Sequence, residues 1–301
     1  MYHNTEQKKP ILIPVIYNNK KYPDGIMAKI QEIPARFDSK VPMPSFFYMD
    51  YSLHTEYSHS PTKFSNPACN GLSALKITDR RGVPKLWYNL NWVREFVKYI
   101  FRFVGDKRPP KIIEIHPPFD DYCRGLSQFI DLYEEFEEDI LVKFPNAEIL
   151  IENRYGSQYR EGKFLISTIN DLLGLVKLIE SRNLKLRLAV DIPQLFAASG
   201  LTAGTFSKTR ISELFNSLKA VREYISNVHL WAKYRNEDNK MVVHRGRLDK
   251  YLGDLKSHFL NELYDLLSDG RPRYFLPEIN ASSAELHLMV RDLIIRGFHF
   301  V

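Results

Sequence analysis

Four apolar segments of the chain each carry, near their end, a side chain that can bind a metal ion. AEILIE ends in Glu152, LRLAVD in Asp191, SNVHL carries His229, and RYFLPE ends in Glu278. Short runs of this kind are typical of strands that are buried on both faces of a parallel sheet. Because barrel enzymes place their functional residues at the carboxyl ends of such strands, the four side chains are predicted to converge there.

The ligand chemistry of this set indicates the class of metal. Three carboxylates and one imidazole suit Mn²⁺, Fe²⁺ or Zn²⁺ better than a metal selected by thiolates. Each acid alone also fits a structural role, as the N-cap of a helix or the partner of an arginine. Taken together, the four residues predict a site for one or two divalent ions.

The elements that must position these residues alternate regularly from residue 91 onward. Strand and helix patterns follow one another, which predicts parallel βα repeats. No G-x-G-x-x-G follows any strand, so an α/β (β/α)8 TIM-type barrel is favoured over a doubly wound sheet. We expect one barrel domain over residues 1–301, with residues 1–90 irregular and loop-rich and residues 91–301 regular.

Local patterns give further expectations for single segments of the chain. In the first third, strands are expected at Ile11–Asn18, at Ser45–Leu53 and at Leu72–Ile77. A helix is expected to begin with Ser167 as its N-cap, and the polar segment 232–251 is expected to be a loop.

Composition narrows the class of protein. Hydrophobic residues make up 44% and charged residues 26% of the chain, as in an ordinary globular protein. No apolar run approaches the roughly 18 residues of a membrane span, and no signal peptide pattern is present. With only Cys69 and Cys123, a disulfide framework is not expected, and a cytoplasmic location fits. The net charge of +6 suits a polyanionic partner.

The strand ends resemble a known group, the xylose isomerase-like barrel superfamily, which includes endonuclease IV-type apurinic endonucleases and ketose 3-epimerases. The motifs that carry the resemblance are IHPP with His116, IENRYGSQ with Glu152, DIPQLFAASG with Asp191, VHLW with His229, and LPEIN with Glu278. The resemblance implies that His116 is a metal ligand and that Glu152 bridges two metals. His244 matches a further ligand position, so the implied metal set is Glu152, Asp191, His229, Glu278, His116 and His244.

The chain also departs from the endonuclease pattern. Gln194 stands where the endonuclease has a histidine, and Val242 stands where it has an aspartate. These departures argue against a third metal. The partner of His116 on an early strand has three candidates, His54, His59 and Asp79.

The favoured function is metal-dependent hydrolysis of phosphodiesters in nucleic acid, with Glu152, Glu278 and His116 as catalytic residues. Substrate contacts are expected from the loops that follow the ligand-bearing strands: Arg154, Tyr155, Gln194, Trp231, Arg235, Arg245 and Arg247. Arginines suit phosphates, and aromatic rings can stack on bases. Each arginine alone would also fit a solvated loop surface, and Trp231 alone would also fit a position in the core.

The main alternative is a sugar isomerase or 3-epimerase, in which Glu152 and Glu278 transfer protons on either face of a carbon next to a carbonyl. It needs only the Glu-Asp-His-Glu set, with Arg235 and His116 holding hydroxyl groups of a small sugar. A minor alternative is an iron-dependent oxidase acting on a peptide. A non-enzymatic barrel that serves as a binding module is also compatible with the sequence.

Overall fold

A closed barrel of eight parallel strands is the central feature of this computed structural model, which describes residues 8–40, 43, 49–56, 60–155, 163–202 and 204–301. The strands are β1 (Ile11–Ile16), β2 (Ile30–Ala35), β3 (Asp50–Thr55), β4 (Ile112–Ile115), β5 (Glu148–Glu152), β6 (Arg187–Asp191), β7 (Ile225–Leu230), β8 (Ala232–Arg235), β9 (Met241–Arg245), β10 (Pro272–Pro277) and β11 (His299–Phe300). Sheet order follows the chain from β1 to β7, β10 comes next, and the pairing of β10 with β1 closes the barrel. The predicted (β/α)8 fold is therefore confirmed.

Helices follow most of the barrel strands. They are α1 (Leu90–Val104), α2 (Leu126–Lys143), α3 (Ile169–Arg182), α4 (Ile192–Ala198), α5 (Lys208–Leu218), α6 (Leu248–Leu252), α7 (Lys256–Leu267) and α8 (Ser283–Arg296). Each of the longer helices buries an apolar stripe, such as Trp92, Phe96, Ile100 and Phe103 on α1. None of the helices in the described ranges is long and apolar enough to cross a membrane.

The first third of the chain is loop-rich, as expected, and its strands match the prediction only in part, since β1 (Ile11–Ile16) lies within the predicted Ile11–Asn18. β2 was not foreseen, and β3 begins at Asp50, whereas residues 45–48 of the predicted strand lie outside the described ranges. Leu72–Ile77 forms turns and no strand. Two apolar residues of that segment, Leu72 and Leu75, are buried although they lie in turns, and the Leu75 N–H donates to Glu95 of α1. The apolar pattern therefore reported burial and not a strand.

Two other local predictions are wrong. The N-cap of α3 is Thr168, which forms a capping box with Asp171, while the hydroxyl of Ser167 donates to the Arg154 and Phe164 carbonyls. The segment 232–251 is not a loop, because β8 and β9 pair as an antiparallel hairpin. The segment was predicted as a loop because most of its residues are polar. The hydrogen bonds that pair β8 with β9 form between backbone groups, so they do not require apolar side chains.

The chain divides into two compact units, residues 32–189 and residues 1–31 with 190–301. In the first unit, aromatic side chains of α1 and α2 pack around Trp87, which contacts Phe129 and Phe136 edge to face. In the second unit, Phe196 of α4 packs against Phe215 of α5 and Phe259 of α7. The expectation of one domain stays a prediction.

Candidate metal centre

Four buried side chains converge at the carboxyl ends of β3, β4 and β5, and we call them the His54 cluster: His54, Glu114, His116 and Glu152. The Nε2 atoms of His54 and His116 are 3.1 Å apart. Glu152 Oε2 lies 2.7 Å from His116 Nε2 and 3.5 Å from His54 Nε2. Glu114 Oε1 is 3.6 Å from His54 Nε2. Two imidazole nitrogens and two carboxylate oxygens thus surround one small volume.

The other ring nitrogen of each histidine is held by an oxygen. His54 Nδ1 is 3.1 Å from Glu32 Oε2, and His116 Nδ1 is 3.2 Å from the carbonyl oxygen of Glu56. A carboxylate or carbonyl oxygen accepts a hydrogen bond, so both Nδ1 atoms are assigned as donors. In the neutral rings, both Nε2 atoms then present lone pairs to the centre of the cluster, which is the tautomer of a metal-ligating histidine.

This arrangement fits a divalent ion. Ligands that lie about 2.0 to 2.2 Å from a tetrahedrally coordinated ion are roughly 3.4 Å from one another, and most distances in the cluster are near that value. With both rings neutral, the cluster offers only acceptors toward its centre, so its members need either a proton or a metal cation between them. The donor set suits Zn²⁺ or Fe²⁺.

The electrostatics of the cluster agree with a cation site. Burial alone would raise the pKa of Glu152, but Arg154 and His116 hold it well below its usual range. Burial lowers the pKa of His116 to about 4. Burial also lowers the pKa of His54, yet Glu32 and Glu114 together raise it well above its usual value. When no ion is bound, a proton on His54 therefore balances part of the negative charge of the neighbouring carboxylates.

Arg154 lies beside the cluster as the second residue after β5. Its Nη1 donates to Glu152 Oε1 at 3.2 Å, on the opposite side of the carboxylate from the histidines. The Ser167 hydroxyl fixes the Arg154 carbonyl at 2.6 Å. The next residue, Tyr155, is 48% exposed. Both residues thus follow a ligand-bearing strand, where the sequence predicted substrate contacts.

A second group of predicted ligands lies in the unit formed by residues 1–31 and 190–301. Asp191 is buried and acts as the N-cap of α4: its Oδ1 accepts the Gln194 backbone N–H at 2.9 Å, and its Oδ2 accepts the Trp231 indole N–H at 3.0 Å. Asp191 therefore has the N-cap role that was the structural alternative to metal binding. Gln194 is placed by this cap, and Trp231 is a buried residue of the core.

The imidazoles of His229 and His244 both lie close to the Glu278 carboxylate. His229 Nδ1 is 3.6 Å from Glu278 Oε1, and His244 Nδ1 is 3.5 Å from Glu278 Oε2. His244 has a φ of 53° and stacks on Trp231 at 4.5 Å between ring centroids. A positive φ in a histidine costs free energy, so the surrounding contacts must hold it in place. The prediction that Glu152 shares an ion with Asp191, His229 and Glu278 stays a prediction.

The predicted substrate arginines of the hairpin have protein partners. Arg235 donates to the Asn239 carbonyl at 2.7 Å, Arg245 pairs with Glu285, and Arg247 pairs with Asp249 at 2.7 Å. Arg235 and Arg247 also line an open cavity of about 310 Å³ with Tyr234, Asn236, Glu237, Asp238 and Lys250. Their role in substrate binding stays a prediction.

Two members of the site were not found from the sequence. Glu114 lies two residues before His116, so the alternation of a strand places both side chains on one face, and this spacing could have identified it. Glu32 is in the proline-rich first third, on β2, a strand that no sequence pattern predicted. Of the candidates for the partner of His116, His54 has its Nε2 atom 3.1 Å from that of His116, while Asp79 caps a turn at the Arg81 and Val83 N–H groups. His59 and residues 156–158 of the IENRYGSQ motif lie outside the described ranges.

Comparison with known proteins gives similar structures but no family. No protein-family model matches the chain, and no curated protein matches it. An AP endonuclease, family 2, from Brucella melitensis has a TM-score of 0.45 at 9% identity, covering 94% of this chain and 98% of that one. A xylose isomerase domain protein from Planctomyces limnophilus has a TM-score of 0.44 at 14% identity, covering 97% of each chain. A mannonate dehydratase from Streptococcus suis serotype 2 has a TM-score of 0.43 at 9% identity, covering 89% of this chain and 95% of that one.

These likenesses concern the barrel alone.

Proposed function

We propose that this protein is a divalent-metal-dependent phosphodiester hydrolase that acts on nucleic acid. The observation that carries the proposal is the His54 cluster, in which two imidazole Nε2 atoms meet Glu152 Oε2 while their Nδ1 atoms are held by Glu32 and the Glu56 carbonyl. The sugar isomerase hypothesis needs only Glu152, Asp191, His229 and Glu278, so it gives His54 and Glu114 no role. A histidine-rich site that shares only Glu152 with that set supports hydrolysis, because hydrolases of phosphodiesters often use more than one ion.

The residues of the cluster would act as follows. His54, His116 and Glu152 would hold the ion, with Glu114 as the fourth ligand. A bound divalent ion supplies Lewis acidity, which polarises a phosphoryl oxygen and acidifies a water molecule. Arg154 keeps Glu152 ionised through its contact with Oε1, and the exposed Tyr155 beside it offers a ring to a base.

The charge of the whole chain supports a polyanionic substrate. Its 42 lysine and arginine residues exceed its 36 acidic residues by six, and a positive field speeds the encounter with nucleic acid. Cys69 and Cys123 are both buried free thiols, which supports a reducing compartment such as the cytoplasm.

The first experiment combines metal content with hydrolysis. Purified protein is analysed for Zn, Mn and Fe, and it is incubated with oligonucleotides with and without an abasic site and, separately, with ketoses. His54→Ala and His116→Ala should each reduce the metal content and the cleavage of oligonucleotides. The exposed His287, on α8, provides the matched control His287→Ala, which should change neither. Ketose isomerisation without oligonucleotide cleavage, or full cleavage by both cluster variants, would refute the proposal.

A further inference from the structure

Trp87 has an unusual backbone conformation for a large aromatic residue. Its φ is +58°, in the left-handed region that side chains other than glycine rarely adopt. Such a conformation costs free energy and persists only where the surrounding structure holds it. Strained residues of this kind are concentrated at functional sites, so the contacts of Trp87 are informative.

The indole of Trp87 is hydrogen-bonded to the backbone of a proposed metal ligand. Its Nε1 donates to the carbonyl oxygen of His116 at 2.7 Å. Pro117 and Pro118 follow His116, and proline has no N–H to donate. The indole therefore provides a hydrogen bond to the chain at the point where β4 has ended and His116 must still be held in place.

The ring of Trp87 cannot move easily. It is 1% exposed and packs between Trp92, Phe129 and Phe136, with ring centroids 5.1 to 5.3 Å away. Through the Nε1 bond, this aromatic core reaches the backbone of His116. The Glu56 carbonyl fixes the imidazole at Nδ1, and Trp87 fixes the main chain that carries it.

We propose that Trp87 is a positioning residue for metal binding, which holds His116 with its Nε2 directed at the ion. This inference rests on the proposed metal site. It explains why the strained backbone is tolerated: the strain places the indole N–H opposite the His116 carbonyl. Groups that orient a metal ligand typically contribute about 10- to 100-fold in metal affinity.

Trp92 offers a matched control. It is also fully buried, its ring lies 5.3 Å from that of Trp87, and its Nε1 has no hydrogen-bond partner in the described part of the chain. Trp87→Phe and Trp92→Phe therefore remove the same atoms from the same aromatic core. Only Trp87→Phe removes a hydrogen bond to a metal ligand.

The test measures Zn²⁺ affinity by competition with a chromophoric chelator, together with thermal unfolding of the metal-free proteins. We expect about a 10-fold loss of affinity in Trp87→Phe and less than about a 2-fold loss in Trp92→Phe. Trp87→Phe should also unfold at a lower temperature than Trp92→Phe, because it alone removes a buried hydrogen bond. Equal affinities in the two variants would overturn the inference while leaving the proposed function intact. Wild-type protein that binds no metal would overturn both.

A second measurement does not depend on a variant that folds. In ¹⁵N-labelled wild-type protein, the indole N–H resonances of the three tryptophans are followed during a Zn²⁺ titration. We expect the Trp87 signal to shift more than the Trp92 signal, because Trp87 is bonded to His116. A Trp87 signal unchanged by saturating Zn²⁺ would contradict the positioning role.

Discussion

Glu32 on β2 and His54 on β3 form a buried pair in which Glu32 Oε2 is 3.1 Å from His54 Nδ1. The carboxylate fixes the ring and leaves Nε2 to face His116 and Glu152. A carboxylate in this position also makes the imidazole a more basic ligand. One residue from a strand that the sequence did not indicate thus determines the state of a proposed ligand.

Removing the charge of Glu32 should weaken metal binding. Glu32→Gln keeps an oxygen that can accept from Nδ1 but loses the charge, so we expect about a 10-fold loss of Zn²⁺ affinity, and a larger loss in Glu32→Ala. Calorimetric titration with Zn²⁺ measures both. The exposed Glu237 of the hairpin turn provides the control Glu237→Gln, which should bind Zn²⁺ as the wild type does. Equal affinities of all three variants would contradict the role of Glu32.

Metal binding should release a proton near neutral pH. The raised pKa of His54 means that its ring is protonated at pH 7 when no ion is bound, whereas the ring must be neutral to bind a metal. His116, with a pKa lowered to about 4, is already neutral and releases none. Calorimetry in buffers of different ionisation enthalpy should therefore give about one proton released per ion at pH 7. A binding heat that is the same in every buffer would rule this out.

Neutralising Glu152 should abolish metal binding while the barrel persists. Glu152→Gln removes the oxygen charge that faces both histidines, so the metal content and the proposed hydrolysis should be lost, with affinity reduced by more than about 100-fold. Circular dichroism should show the same secondary structure as the wild type. Glu148→Gln, at the other end of the same strand, should leave the metal content unchanged. Full metal content in Glu152→Gln would exclude the His54 cluster as the site.

Asp191 should be required for stability independently of metal. Asp191→Ala loses the cap of α4 and the bond from Trp231, so we expect unfolding to become easier by about 2 to 4 kcal/mol in metal-free protein. Asp191→Asn keeps the cap and should cost less. Urea unfolding in the presence of a chelator provides the comparison. If both variants were as stable as the wild type, the N-cap and indole contacts of Asp191 would not contribute to the free energy of unfolding.

Gly246 should tolerate no side chain. A Cβ there would overlap the backbone carbonyl of Glu285 on α8, and the Gly246 N–H donates to the Glu285 carboxylate at 2.7 Å. Gly246→Ala should therefore destabilise the protein by about 1 to 3 kcal/mol through overpacking. At Gly204, a Cβ would have open space, so Gly204→Ala should change stability by less than about 0.5 kcal/mol. Thermal unfolding of the two variants tests the difference.

The parts of the site that could be predicted are those where a polar residue interrupts an apolar run. Glu152 and His116 stand at the ends of buried strands, and the runs identify both the strand and its carboxyl end. Glu114 is within such a run, where a carboxylate is costly unless it is paired. Its place on the same face as His116 follows from the period of two, but its pairing with His54 depends on the register of β3 against β4.

The remaining parts depend on contacts distant in the chain. Glu32 and His54 are brought together by the pairing of β2 with β3. The prolines around them obscured β2, and the strand predicted at Ser45–Leu53 stopped one residue short of His54. Trp87 reaches His116 through a strained turn that no spacing indicates. For Asp191, the capping role and the ligand role have the same sequence pattern, because both need a carboxylate where a strand ends and a helix begins.

The oxygens that orient the two histidines come from residues that precede them in the chain. Glu32 precedes His54, Glu56 precedes His116, and Glu152 is the last member of the His54 cluster to be synthesised. During translation, each imidazole therefore emerges after the group that selects its tautomer. The His54 cluster therefore lacks its last carboxylate until β5 has left the ribosome, and the proposed set of metal ligands is complete only from that point.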